Sequence, residues 1–105
     1  QQSPTDLIMA VRTGELAEVM RRLEAGDDVN MLSKAGQTPL MEAAAYGYED
    51  MVRYLADKGA DLELRNGQGR TALEIAEENY RKSIVAFLER ERSLKVALET
   101  ASVDS

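Results

Sequence analysis

The sequence predicts an all-α solenoid of stacked helix-turn-helix units, with β-turn or hairpin loops projecting from the stack. Three observations carry this. The chain resembles itself at a shift of about 33 residues, its clearest helix is bounded by Thr-Pro and Gly, and the segments after the first two helix pairs carry Gly and turn-forming residues.

The clearest helix lies in "QTPLMEAAAYGYEDM", residues 37 to 51. Thr38 suits the N-cap, and Pro39 suits the first helical position, where its missing N–H would have had no intrahelical partner. Leu40, Ala43 and Ala44 follow at helical spacing, and Gly47 supplies the left-handed residue that ends many helices. Thr38 to Tyr46 is thus the first helix of a unit. It is too short to stand alone and must pack on something. Glu49 to Lys58 is the second helix, with Met51, Val52 and Leu55 on its apolar stripe and Gly59 at its end. "ADLELRNGQG" then alternates Leu62 with Leu64 and closes on Asn-Gly and a second Gly, as a tight projecting turn does. No segment predicts a confident extended strand.

Shifted by 33 positions, Thr5, Leu7, Ala10, Gly14, Val19, Gly26 and Gly36 fall on Thr38, Leu40, Ala43, Gly47, Val52, Gly59 and Gly69. A second shift reaches Thr71, Leu73, Ala76 and Val85. The chain therefore reads as one domain, 1–105, divided into 3–36, 37–69 and 70–92. Residues 93–105 form a helical extension or tail. Units of this kind bury their apolar faces against one another, so the terminal ones need polar outer surfaces. Arg21, Arg22, Glu89, Arg90, Glu91 and Arg92 fit that need. In the tail, Leu94, Ala97, Leu98 and Ala101 make an apolar stripe, either extending the last helix or folding back as a cap over the third unit.

"GQTPLMEAAAYGYEDMVRYLADKGADLELRNGQG" resembles an ankyrin repeat, with Thr-Pro-Leu, Ala-Ala, Gly and Lys-Gly-Ala-Asp at that family's spacing. The resemblance covers nearly all of residues 3 to 92 and is best in the middle copy. Both terminal copies, 3–36 and 70–92, resemble degenerate capping repeats. Departures are local. Met41 and Tyr48 stand where the family has His, Asp6 replaces Pro, Arg22 occupies a position where Leu is usually buried, and Tyr80 replaces the turn Gly.

Composition limits the chemistry. The protein has no His and no Cys, which removes the usual general base, the thiol nucleophile, disulfides and the common nitrogen and sulfur metal ligands. "DLELRNGQGRTA" fails as a calcium loop because Asn66 and Ala72 stand where Gly and Glu are needed. Gly67 and Gly69 lack the Gly-Lys-Ser/Thr of a phosphate loop. Adjacent carboxylates such as Glu77 and Glu78 do not share a helix face. No catalytic residue, metal or cofactor is expected, and a hydrolase using carboxylates alone is a distant alternative. A net charge of -6 argues against nucleic acid and suits a basic partner, although acidity also serves solubility. No apolar run approaches the ~20 residues that span a bilayer. No membrane association is expected, and the expected location is cytoplasmic or nuclear. The expected state is a monomer.

The resemblance implies a protein-protein interaction module, acting as adaptor, scaffold or inhibitor through its loop tips and concave first-helix face. Carried over by register, the contact residues are Leu32, Lys34, Ala35 and Gln37 on the first loop and Arg65, Gln68 and Arg70 on the second. Arg12 and Thr13, Ala45 and Tyr46, and Glu78 and Asn79 lie at the ends of the three first helices. Several have simpler readings. Leu32 either anchors a partner or tucks against its neighbour, Tyr46 either meets a partner or packs on Tyr48 or Tyr80, and Arg70 pairs with a local carboxylate. Arg65 and Arg70 together form a small positive spot if left unpaired. The methionines fill core gaps, with Met31 the one expected to face solvent. A structural or homo-oligomerising repeat domain and an engineered binding scaffold are the alternatives.

Overall fold

The computed structural model describes residues 6–103, and among these residues it contains six helices and no strand. They are α1 (Leu7–Arg12), α2 (Leu16–Glu24), α3 (Pro39–Tyr46), α4 (Glu49–Asp57), α5 (Ala72–Glu78) and α6 (Lys82–Val103). Consecutive helices pair as α1/α2, α3/α4 and α5/α6. The first helices form a continuous row, with α3 in contact with both α1 and α5, and α4 touches α6 behind them. This is the all-α stack of helix-turn-helix units that the repeat predicts.

Local chemistry sets the helix ends. The Thr38 hydroxyl accepts from the Met41 N–H at 3.1 Å, and the Thr38 N–H reaches the Met41 sulfur at 3.4 Å. One repeat later, the Thr71 hydroxyl accepts from the Glu74 N–H, and the Thr71 N–H donates to the Glu74 carboxylate at 3.1 Å. Both are capping boxes, the first closed by a thioether where a carboxylate or amide is usual. In the first unit the cap moves by one residue. Asp6 accepts from the Met9 N–H and α1 begins at Leu7. Thr5, the register match of Thr38, lies outside the described residues.

The core is continuous through the stack. Leu7, Leu40, Val19, Val52 and Leu55 are fully or almost fully enclosed, and Ala43 and Ala44 of α3 have no exposed surface. Alanine at these two positions lets α3 lie between α1 and α5 at close range, which a larger side chain would prevent. Met31 is half-buried and packs on this core, contrary to expectation, because its loop folds against the stack. Met9 and Met20 are the exposed methionines.

The loops repeat one another. In the first, the Ser33 hydroxyl accepts from the N–H groups of Ala35 and Gln37; in the second, Asn66 Oδ1 accepts from those of Gln68 and Arg70. Each loop also closes with a main-chain bond, from the Ser33 N–H to the Gln37 carbonyl and from the Asn66 N–H to the Arg70 carbonyl, a turn without a regular strand. Two side-chain bonds tie the loops together: Asn66 Nδ2 donates to Gln37 Oε1 at 2.6 Å, and the Asp61 N–H donates to Asn30 Oδ1 at 2.8 Å.

The substituted positions have structural answers. Arg22, where the family buries Leu, is half-buried and pairs with Glu18 at 2.9 Å. Tyr80, in place of the turn Gly, adopts the left-handed conformation at φ 58° and is 86% exposed. The last helix does not fold back. α6 runs unbroken from Lys82 to Val103, every residue from Arg92 to Glu99 is exposed, and Leu98 is 71% exposed. The stripe of Leu94 and Leu98 therefore covers none of the third unit; Ile84 and Leu88, a few turns earlier, are the α6 residues that enter the core. No helix among the described residues is long and apolar enough to cross a membrane.

Candidate functional site

The ends of the first helices and the tips of the two described loops meet on one side of the stack. Two hollows form there, sharing Gln68 on their common rim. The first, of about 400 Å³, is lined by Arg12 of α1, Glu42 and Tyr46 of α3, Ala35 and Gln37 of the first loop, and Asn66 and Gln68 of the second. The second, of about 500 Å³, is lined by Gln68, Gly69 and Arg70 together with Glu74, Glu77 and Glu78 of α5 and its approach.

Seven of the residues singled out in the sequence thus converge: Arg12, Ala35, Gln37, Tyr46 and Gln68 in the first hollow, and Arg70 and Glu78 with Gln68 in the second. The remaining six line neither. Leu32 is 59% exposed and Lys34 is exposed on the first loop tip. The Thr13 hydroxyl has its single proton within reach of the carbonyls of Met9 and Ala10 and the carboxylate of Glu15, and the Asn79 amide donates to the carbonyl of Ile75. Ala45 contributes its carbonyl to a bond from Arg81. Arg65 donates to the Gly69 carbonyl at 2.8 Å and approaches Glu74 at 3.4 Å. Arg70 pairs with Glu78, so both arginines of the expected positive spot are matched by glutamates.

Glu42 is a site residue that the sequence pattern does not reveal. It looks like an ordinary first-turn acid of α3, yet it is 4% exposed and its Oε2 accepts from Arg12 Nη2 at 3.1 Å. A charge buried to this degree needs a partner, and Arg12, 38% exposed, comes from the neighbouring unit to supply it. The hydrogen bond to Glu42, and then its charge, hold the Arg12 guanidinium above its ordinary value against the opposing effect of burial. Asn66 is a second such residue. Its bond to Gln37 joins the two loop tips over the hollow, and only the stacking of consecutive units brings these side chains together.

Tyr46 combines the two readings of the sequence. Its ring stacks on Tyr48 with centroids 5.8 Å apart, and it remains 47% exposed at the edge of the hollow. A ring braced in this way offers apolar area and a hydroxyl with little conformational freedom left to lose. Among the described residues no three carboxylates converge as a metal site would require.

A family profile described as "Ankyrin repeats (3 copies)" matches residues 7–97. The chain is 33% identical over 100 residues to protein phosphatase 1 regulatory subunit 12A of Mus musculus, covering 95% of this chain and 9% of that protein. It is 37% identical over 89 residues to the transient receptor potential cation channel subfamily A member 1 homolog of Caenorhabditis elegans, covering 84% of this chain and 7% of that one. Against human protein phosphatase 1 regulatory subunit 27 the identity is 33% over 78 residues, covering 74% and 51%. The chain thus spans between 7% and 51% of the length of these relatives.

Proposed function

The chain belongs to the ankyrin-repeat family, whose repeats generally mediate protein-protein interaction, and on that premise we propose that it is a non-catalytic interaction module, an adaptor, scaffold or inhibitor, that holds a partner protein along its loop tips and first-helix face. One observation carries the reading: Arg12, Gln37, Tyr46 and Gln68, drawn from two helices and two loops, surround a single open hollow. Arg and Tyr in such a setting are the side chains that most often dominate interface energetics. The net charge of -6 favours a partner with a basic surface by long-range steering. The binding unit is a monomer in the cytoplasm or nucleus, with 3–36 and 70–92 serving as capping repeats of the central 37–69.

Two of the relatives are named as regulatory subunits of protein phosphatase 1, which makes that phosphatase the first purified partner to try. The third is a channel homolog, so the same frame serves different proteins. The test is capture from a cell extract, and with purified phosphatase, using the native protein beside Leu32→Glu/Tyr46→Ala after circular dichroism has shown equal helicity. A protein held by the native form and released by the variant supports the loop-tip surface. Equal capture by both forms rules it out.

A second reading, self-association, draws on α6. Leu94, Val96 and Leu98 are all more than half exposed on a helix segment with no tertiary cover. Mass measured by analytical ultracentrifugation over a hundredfold range of concentration separates this from the monomeric module.

A further inference from the structure

We propose that the hollow between the two loop tips receives an Asp or Glu side-chain carboxylate of the partner protein, with Arg12 as its anchor. This rests on the interaction reading above and names the chemistry of the same site.

The argument is one of donors and acceptors. Arg12 spends one Nη2 bond on Glu42, and its remaining N–H groups belong to a partly exposed guanidinium lining the hollow. Because the buried Glu42 comes from α3 while Arg12 comes from α1, this pair holds the guanidinium in place before any ligand arrives. Gln37 has its Oε1 occupied by Asn66 Nδ2, which orients the amide and leaves Nε2 as a donor with no partner among the described residues. The Asn66 carbonyl oxygen is itself occupied, since Oδ1 already accepts from the N–H groups of Gln68 and Arg70. The Tyr46 hydroxyl likewise has no partner among the described residues, and its ring is braced by Tyr48.

The hollow therefore offers three pre-positioned donors: the Arg12 fork, the Gln37 amide and the Tyr46 hydroxyl. A carboxylate carries only acceptors and can take two N–H bonds from one guanidinium at once. An incoming Lys or Arg would instead place a second cation beside Arg12. Its strongest acceptor would be the carboxylate that Arg12 already holds. Orienting Arg12 in advance also removes part of the side-group entropy that binding would otherwise cost.

The test is an NMR titration of the 105-residue chain with the capped peptide acetyl-Gly-Glu-Gly-amide, beside the matched Gln and Lys peptides, following the Arg12 Nε–H and Gln37 side-group amide signals. Saturable shifts with the Glu peptide alone are expected. Arg12→Gln should weaken that binding at least about tenfold. Gln68→Glu, which alters only an exposed rim residue, should weaken it several-fold by charge repulsion while leaving the helical spectrum unchanged. The proposal is overturned if the Lys peptide binds as well as the Glu peptide, if either variant binds the Glu peptide like the native protein, or if no peptide perturbs the hollow. In each of these cases the extract capture still decides the interaction reading by itself, so the two fail separately.

Discussion

Tyr48 and Arg81, 33 residues apart, make the same contact between units with different chemistry. The Tyr48 hydroxyl donates to the Arg12 carbonyl at 3.0 Å, and the Arg81 guanidinium donates to the Ala45 carbonyl at 3.0 and 3.3 Å. Arg12 and Ala45 are themselves register equivalents, each the last or next-to-last residue of a first helix. A carbonyl near a helix C-terminus has no intrahelical donor, and in each case the next unit supplies one. Tyr48, which stands where the family has His, thus replaces one hydrogen-bonding residue with another.

Removing that donor tests its contribution. Tyr48→Phe keeps the ring and its stacking on Tyr46, so the loss should be about 0.5–1.5 kcal/mol, the usual net value of one hydrogen bond. Urea denaturation followed by circular dichroism measures it. No change in the midpoint would mean that water satisfies the Arg12 carbonyl equally well.

Gly47 and Gly59 form a matched pair for the next test. Both are left-handed, at φ 82° and 93°, so an Ala at either carries backbone strain of about 1 kcal/mol. At Gly47 the added Cβ would also lie 2.9 Å from Arg81 Cζ and Nε, whereas at Gly59 nothing lies within 4 Å. To make room, the Arg81 guanidinium must shift and weaken its hold on the Ala45 carbonyl, a charge-assisted bond worth roughly 1.5–3 kcal/mol at most. Gly47→Ala should therefore lower the melting temperature clearly more than Gly59→Ala, and equal shifts would contradict the contact.

The Arg12–Glu42 pair predicts a double-mutant cycle. Arg12→Leu strands a buried carboxylate. The expected loss is about 1–3 kcal/mol, less than for a fully buried pair because Arg12 is partly exposed to solvent. Arg12→Leu/Glu42→Leu removes both charges and should be more stable than Arg12→Leu alone. Additive losses would mean that the two residues do not interact.

The core and the end of α6 should behave oppositely. Leu40→Asp places a charge among enclosed neighbours and should unfold the stack. Leu94→Glu/Leu98→Glu should change stability by no more than about 0.5 kcal/mol, because both positions are exposed already. Hydrogen exchange adds a separate check. Amides from Arg92 to Glu99 should exchange much faster than those around Leu88, since a helix without tertiary packing is marginal.

Features that are local or periodic are legible in the sequence. Thr38 and Pro39 start α3, Gly47 ends it, and Glu49 begins α4, because caps and turn residues act on backbone groups only a few positions away. The interval of about 33 residues is equally readable, since stacking units of one shape demand the same apolar positions in each. Contacts between units belong to the tertiary structure. Glu42 carries no local sign of burial; its environment depends on how α1 and α3 lie against each other and on Arg12 reaching across. Asn66 meets Gln37, and Arg81 meets Ala45, only once the units have stacked in register. The tail shows the same limit from the other side. Its apolar stripe is legible, but whether a stripe caps a stack or runs past it depends on the direction in which α6 leaves the third unit, and no spacing of Leu and Ala encodes that direction.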